Sequence, residues 1–235
     1  MLPLILWDID GTLLRVHTTV RAFNRALRTV YPLPAELGRI SFGGKTDPQI
    51  VLELLALHGI GEREVMEHFP RFQAEYERLV EEAADEVARE TEIMPGVPAV
   101  LGALTERGAI QSLLTGNLQV VAQLKLRAAA LHDWFDWRCG AFASDNPTRD
   151  CLVPIAEGRA AALGHRYDRV VVIGDTPFDV QCARAGGARA IAVATGSFSV
   201  EALQASQPDA VLADLSDVAL VLEAIYGAEH GQRLS

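Results

Sequence analysis

Leu4-Ile5-Leu6-Trp7-Asp8-Ile9-Asp10-Gly11-Thr12 sets a short apolar run directly against a pair of acids. The run reads as a buried strand, so Asp8 and Asp10 stand at its carboxyl end. On extended backbone the side chains of residues i and i+2 point the same way, which would crowd both carboxylates into one small volume. Two ionised acids in that volume repel each other and require compensation. A divalent cation supplies it: hard oxygen ligands select Mg²⁺, which takes one or two carboxylates and completes its shell with water and substrate phosphate. Read alone, the segment is also an ordinary polar turn, with Gly11 supplying an unusual backbone angle.

Two further apolar runs end the same way. Ile110 to Leu114 leads into Thr115-Gly116-Asn117, and Val170 to Ile173 leads into Gly174-Asp175-Thr176-Pro177-Phe178-Asp179. Ligands of an open parallel sheet bind outside the carboxyl ends of its strands, so the three polar ends belong to one site. Each also has a plainer account. Thr115-Gly116-Asn117 fits a strand-to-helix turn ahead of a helix through Val120, Val121, Leu124 and Leu131. Thr176 to Asp179 fits a capping box with Pro177 at the first helical position, which leaves Asp175 unexplained. Arg149, in Arg149-Asp150-Cys151-Leu152-Val153-Pro154, reads equally as a solvated surface arginine.

Taken in this order, the motifs resemble those of haloacid dehalogenase superfamily phosphatases, of the helically capped, phosphoglycolate phosphatase-like kind. The resemblance covers essentially the whole chain. It implies that Asp8 is a nucleophile giving an aspartyl-phosphate, and that Asp10 first protonates the leaving alkoxide and then takes a proton from water. It implies Mg²⁺ held by Asp8, the backbone carbonyl of Asp10 and Asp175. Thr115, Gly116, Asn117 and Arg149 would bind the phosphoryl oxygens, with Thr12 ordering the loop and Asp179 holding Asp175 or Arg149 in place. Arg149 departs from the lysine usual at the third motif.

From Ile93 onward helix and strand patterns alternate, the mark of a doubly wound α/β fold with a mainly parallel sheet. Residues 15–91 break the alternation and read as helix after helix. Val65, Phe69, Phe72, Tyr76, Leu79, Ala83 and Val87 recur at steps of three and four, which predicts one long amphipathic helix over Glu62 to Glu90. Residues 1–14 and 92–235 then form the α/β core, and 15–91 resembles the inserted helical cap of many superfamily members. Gly227 to Ser235 reads as a frayed tail.

The 235 residues carry 49% hydrophobic side chains, enough for one large domain or a domain with an insertion. A net charge of −10 argues against nucleic acid or anionic membranes as partners, so a phosphorylated substrate must be drawn in by local cations. Cys139, Cys151 and Cys182 show no metal-ligand spacing and read as small core residues of a protein in a reducing compartment. The Met1 to Trp7 run is too short to span a membrane and lacks the basic flank of a signal peptide; a cytoplasmic protein, monomeric or dimeric, is expected.

Among superfamily reactions, Asp10 favours cleavage of a C–O–P linkage, because a halide leaving group needs no proton. A small-metabolite phosphatase and a sugar-phosphate mutase both remain open, beside a silent binding protein on the same fold. His17 alone among the histidines lies near an expected hinge. Lys45, in Ser41-Phe42-Gly43-Gly44-Lys45-Thr46-Asp47, is one of two lysines against nineteen arginines. Gly43-Gly44 permits close approach to a ligand, and Thr46 or Asp47 can cap the helix carrying Ile50, Val51, Leu54 and Leu55. Lys45 is therefore expected either to meet an anionic or hydroxylated part of the substrate or to be a solvated loop lysine.

Overall fold

The computed structural model of the protein describes residues 2–31, 33 and 40–227. β1 (Pro3–Trp7) is followed by a two-residue strand β2 (Leu14–Arg15), and then by α1 (Thr18–Val30), α2 (Asp47–Ala56), α3 (Glu62–Glu82) and α4 (Ala84–Glu90). The chain returns through β3 (Glu92–Ile93), which pairs antiparallel with β2 and brackets the helical segment with a short ribbon. After it come α5 (Val97–Glu106), β4 (Ile110–Leu113), α6 (Gln119–Ala128), α7 (Leu152–Ala162), β5 (Arg169–Gly174), α8 (Pro177–Ala185), β6 (Arg189–Val193), α9 (Val200–Ala205), β7 (Ala210–Leu212) and α10 (Val218–Tyr226).

The five long strands form one parallel sheet in the order β4-β1-β5-β6-β7. Strand order reverses beside β1, so the crevice between the carboxyl ends of β1 and β5 is the topological switch point. Both faces of the sheet are covered, which is why β1, β5 and β6 read as largely apolar runs; β4 keeps Gln111 and Ser112, whose side chains donate to the Leu101 and Asp136 carbonyls. Alternation still divides them: Ile5, Trp7, Val171, Ile173, Ile191 and Val193 join one core, whereas Leu4, Leu6, Val170, Val172, Ala190 and Ala192 join the other. The first is closed by α5, α6 and α10 through Leu101, Leu126 and Val221, the second by α7, α8 and α9 through Val153, Val180 and Leu203.

The predicted helix over 62–90 is two helices, α3 and α4, broken at Ala83. The apolar stripe is nevertheless buried from Val65 through Leu79, and again at Val87. Beyond the break, Glu86 and Glu90 of α4 accept hydrogen bonds from Arg21 of α1 at 2.6 and 2.7 Å. Cys139 and Cys182 are buried free thiols as expected, but Cys151 is exposed, at the end of a 3₁₀ turn that presents it to solvent. The expected tail lies outside the described residues from 228 onward.

Phe72 is fully buried in the helical segment, with ring centroids 5.0 Å from Phe23, 5.6 Å from Phe69 and 5.8 Å from Tyr76. Removing such a ring leaves a cavity that its aromatic neighbours cannot close. Phe72→Ala should therefore cost about 3–5 kcal/mol in urea-induced unfolding. A loss below about 1 kcal/mol would mean that the site repacks freely.

Candidate active site

Asp8 leaves the end of β1 with its N–H donating to the Ile173 carbonyl at 2.9 Å, which ties it to the neighbouring strand. Its carboxylate is almost fully buried and accepts from Arg149 Nη2 at 2.9 Å. The same Nη2 donates to Asp179, and Arg149 Nη1 donates to the Gly44 carbonyl at 3.2 Å. Arg149, on the 3₁₀ turn Arg149–Cys151 ahead of α7, is only 4% exposed; the surface-arginine alternative is thereby overturned.

Asp175 follows β5. Thr12 Oγ1 donates to its Oδ1 at 3.3 Å, and backbone closes around the carboxylate: a Cβ on Gly11 or Gly196 would stand 2.5 or 1.6 Å from Oδ2. Asp179 closes the expected capping box, accepting from Thr176 N at 3.0 Å and from its hydroxyl at 2.7 Å, and spends its other oxygen on Arg149. Asp8, Asp175 and Asp179 bring carboxylate oxygens within 4.8 Å of one another.

Burial pushes the Asp8 carboxyl up to about 7; Arg149 opposes the rise and Asp179 adds to it. Burial pushes Asp175 up to about 8, helped by Asp8 and Asp179 and opposed by Arg149. For Arg149, burial alone would loosen the proton, but Asp179 and Asp8 outweigh it and hold the guanidinium charged. Three acids around one base leave an excess of negative charge. A divalent cation among hard oxygen donors answers that excess, so the donor set fits Mg²⁺.

Asp10 is near enough to add to the rise of the Asp8 carboxyl, and both line one cavity. Its own charge is answered by side chains: the Asp10 carboxylate accepts from Lys125 Nζ at 2.7 and 2.8 Å and from Asn117 Nδ2 at 2.7 Å. Lys125 Nζ also donates to Asn117 Oδ1 at 2.7 Å, and Asn117 Nδ2 to Thr115 Oγ1 at 2.8 Å. Lys125 is 3% exposed, on α6, and sequence reasoning missed it. Its signal was present: it continues the buried positions Val121 and Ala122 by steps of four and three, where an unpartnered lysine would be costly.

Asp47 was read only as a possible cap. Thr46 caps α2, with Gln49 completing a capping box, and so frees Asp47 to reach the core. Asp47 N donates to the Gly116 carbonyl at 2.7 Å, and its carboxylate accepts from Leu118 N at 2.9 Å. Burial pushes this carboxyl up to about 7, against the Leu118 hydrogen bond and the charge of Lys125. Thr46 Oγ1 donates to the Pro147 carbonyl at 2.5 Å. Gly116 permits the approach, since a Cβ there would stand 2.0 Å from the Lys45 carbonyl. Lys45 itself pairs with Glu53 of α2.

A cavity of about 540 Å³ joins these groups: Asp8, Asp10, Thr115, Gly116, Asn117, Arg149 and Asp175 line it together with Lys45, Asp47, Lys125 and His17. A family profile described as haloacid dehalogenase-like hydrolase matches residues 2–187. The chain belongs to the haloacid dehalogenase-like hydrolases. Within that family it is 27% identical over 232 residues to a Dickeya dadantii protein named "Probable phosphatase IndB", covering 93% of this chain and 92% of that one. It is 28% identical over 144 residues to the phosphoglycolate phosphatase of Escherichia coli K12, covering 60% of this chain and 56% of that one. The fold is shared with a haloacid dehalogenase-like hydrolase of Streptococcus pneumoniae, at 20% identity, TM-score 0.62, and 94% and 98% coverage of the two chains.

Metal and protons compete for carboxyls of raised pKa, so the cation should bind better as pH rises. Differential scanning fluorimetry of chelated protein should show Mg²⁺ raising Tm more at pH 8 than at pH 5.5. Asp175→Asn should abolish the shift. A shift of equal size in that variant would remove Asp175 from the donor set.

Proposed function

We propose that this hydrolase cleaves phosphomonoesters of small metabolites through an aspartyl-phosphate on Asp8. The observation that carries the reading is the convergence on one cavity of Asp8, Asp10, the Thr115–Asn117 turn, Arg149 and Asp175 from three strand ends and the turn before α7. Similarity to proteins named phosphatases along most of the chain supports it.

An Asp8 oxygen attacks phosphorus in line, forming the O–P bond as the P–O bond to the alcohol breaks. Asp10 delivers a proton to the departing alkoxide. Water then attacks the acyl-phosphate, Asp10 takes its proton, and inorganic phosphate leaves with Asp8 regenerated. Arg149, whose Nε has no hydrogen-bond partner among the described residues, and the Thr115 to Asn117 turn face the phosphoryl oxygens and stabilise their spreading charge. Mg²⁺, held by Asp8, the Asp10 carbonyl and Asp175, would supply charge neutralisation and polarisation of the phosphoryl group. Thr12 and Asp179 position Asp175 and Arg149. Residues 15–91 act as a cap whose 44–47 loop closes over the site, with Lys45 directed to the substrate's alcohol. Its Glu53 partner favours a hydroxylated contact over an anionic one.

Asp8→Asn should fold normally, by circular dichroism, and lose at least about 10³-fold in kcat, because the amide keeps the shape without the nucleophile. Wild-type phosphate release by that variant would exclude the covalent route. Free phosphate as the sole product from glucose 1-phosphate supports hydrolysis, whereas an isomeric sugar phosphate would mark a mutase.

Lys125 holds Asp10 in register and is a positioning residue. Lys125→Met should lower kcat for an alkyl phosphate by about tenfold or more while KM changes little, and Lys125→Arg should restore part of it. A loss confined to KM would place Lys125 in substrate binding instead.

A further inference from the structure

Two sets of residues line the catalytic cavity. Strand ends and core loops supply the polar set already described; the helical segment and its flanks supply, beside a few polar groups such as Lys45 and Asp47, a hydrocarbon set of Val16, Val20, Phe23, Phe42, Ile50 and Tyr76. Val20, on α1, is 41% exposed although it borders the cavity, and Phe42 is half-buried, so uncovered hydrocarbon faces the space. Behind Phe42 the wall is rigid: Phe23 lies 5.5 Å from it at 58° and 5.3 Å from Tyr76 at 84°.

Each lysine and arginine of the lining already has a partner. Among the described lining residues, Lys45 pairs with Glu53, Lys125 with Asp10, and Arg149 with Asp8 and Asp179. Arg15 donates to the Thr195 carbonyl at 3.0 Å and stands 4.0 Å from Glu92. Asp47 contributes a further carboxylate to the lining. A second anionic group on the substrate would compete with the acids already paired there and would meet that carboxylate. A flat apolar group would instead cover Val20 and Phe42.

We infer that the leaving alcohol is uncharged and carries a flat apolar or aromatic ring seated against Val20 and Phe42, and is not a small acid of the glycolate type. The inference rests on the phosphatase reading for the bond that breaks, but the ring seat itself is a binding property. It can be measured without turnover.

Two matched pairs of probes test it. Benzyl phosphate and 2-phosphoglycolate are compared by kcat/KM in Mg²⁺. Their uncleavable methylene analogues, 2-phenylethylphosphonate and 3-phosphonopropionate, are compared by calorimetry. The aromatic member should be preferred by about tenfold or more in both pairs. Phe42→Ala and, separately, Val20→Asp should collapse that preference to near unity; the second variant sits on exposed surface and keeps the test valid if the first fails to fold. Equal binding of the two phosphonates, preference for the acid, or binding of neither would overturn the ring seat. Preferential binding of the phenyl phosphonate with no hydrolysis of benzyl phosphate would support the seat and overturn the phosphatase reading alone.

Discussion

Asp8, Asp175 and Asp179 are buried around a single guanidinium, and the rest of the architecture is arranged to hold that excess of negative charge in place. In a low-dielectric setting such an arrangement is unfavourable by itself. It persists because each acid is fixed by something that cannot easily move: the β1–β5 ladder for Asp8, the helix cap of α8 for Asp179, and close-packed backbone for Asp175. Gly174 shows how tightly the packing is drawn, since a Cβ there would stand 2.1 Å from Asp179 Cγ. Under the proposed mechanism, the stability given up locally would leave the site ready for a cation and a phosphoryl group before either arrives.

The same local charge resolves a conflict at the level of the whole molecule. With a net charge of −10 the overall field repels phosphorylated substrates. Attraction must come from cations close to the site, and Arg149 and Lys125 are both held there, nearly inaccessible to solvent, by acids of the site itself. Their hydrogen bonds are spent on orienting Asp8 and Asp10.

α3 and α4 pack against α6, and at the site itself the 44–47 loop ties the helical segment to the core. Gly44, Thr46 and Asp47 each hydrogen-bond to a different part of the core: Arg149, the Pro147 carbonyl, and the Gly116–Leu118 backbone. The residues proposed to face the phosphoryl group are thus the ones the loop touches, and Gly116 must be bare for the loop to reach it.

Sequence alone determined most of the sheet, because both faces of the central strands are covered and these therefore appear as largely apolar runs ending in polar residues. It also marked Asp8, Asp10, Thr115, Asp175 and Asp179, which lie at strand ends or in a cap where local spacing carries the information. Only tertiary structure decided which partner each acid takes. Asp10 pairs with Lys125, 115 positions away, and Asp47 reaches Leu118, 71 positions away. Arg149 becomes a buried ligand of Asp8 across 141 positions. Those pairings depend on how α6, the turn before α7 and the 44–47 loop meet over the switch point, and a periodic pattern within any one element says nothing about that meeting. The break at Ala83 was hidden for the same reason: the apolar stripe runs on through it unchanged, while the ion pairs of Arg21 with Glu86 and Glu90 form between helices.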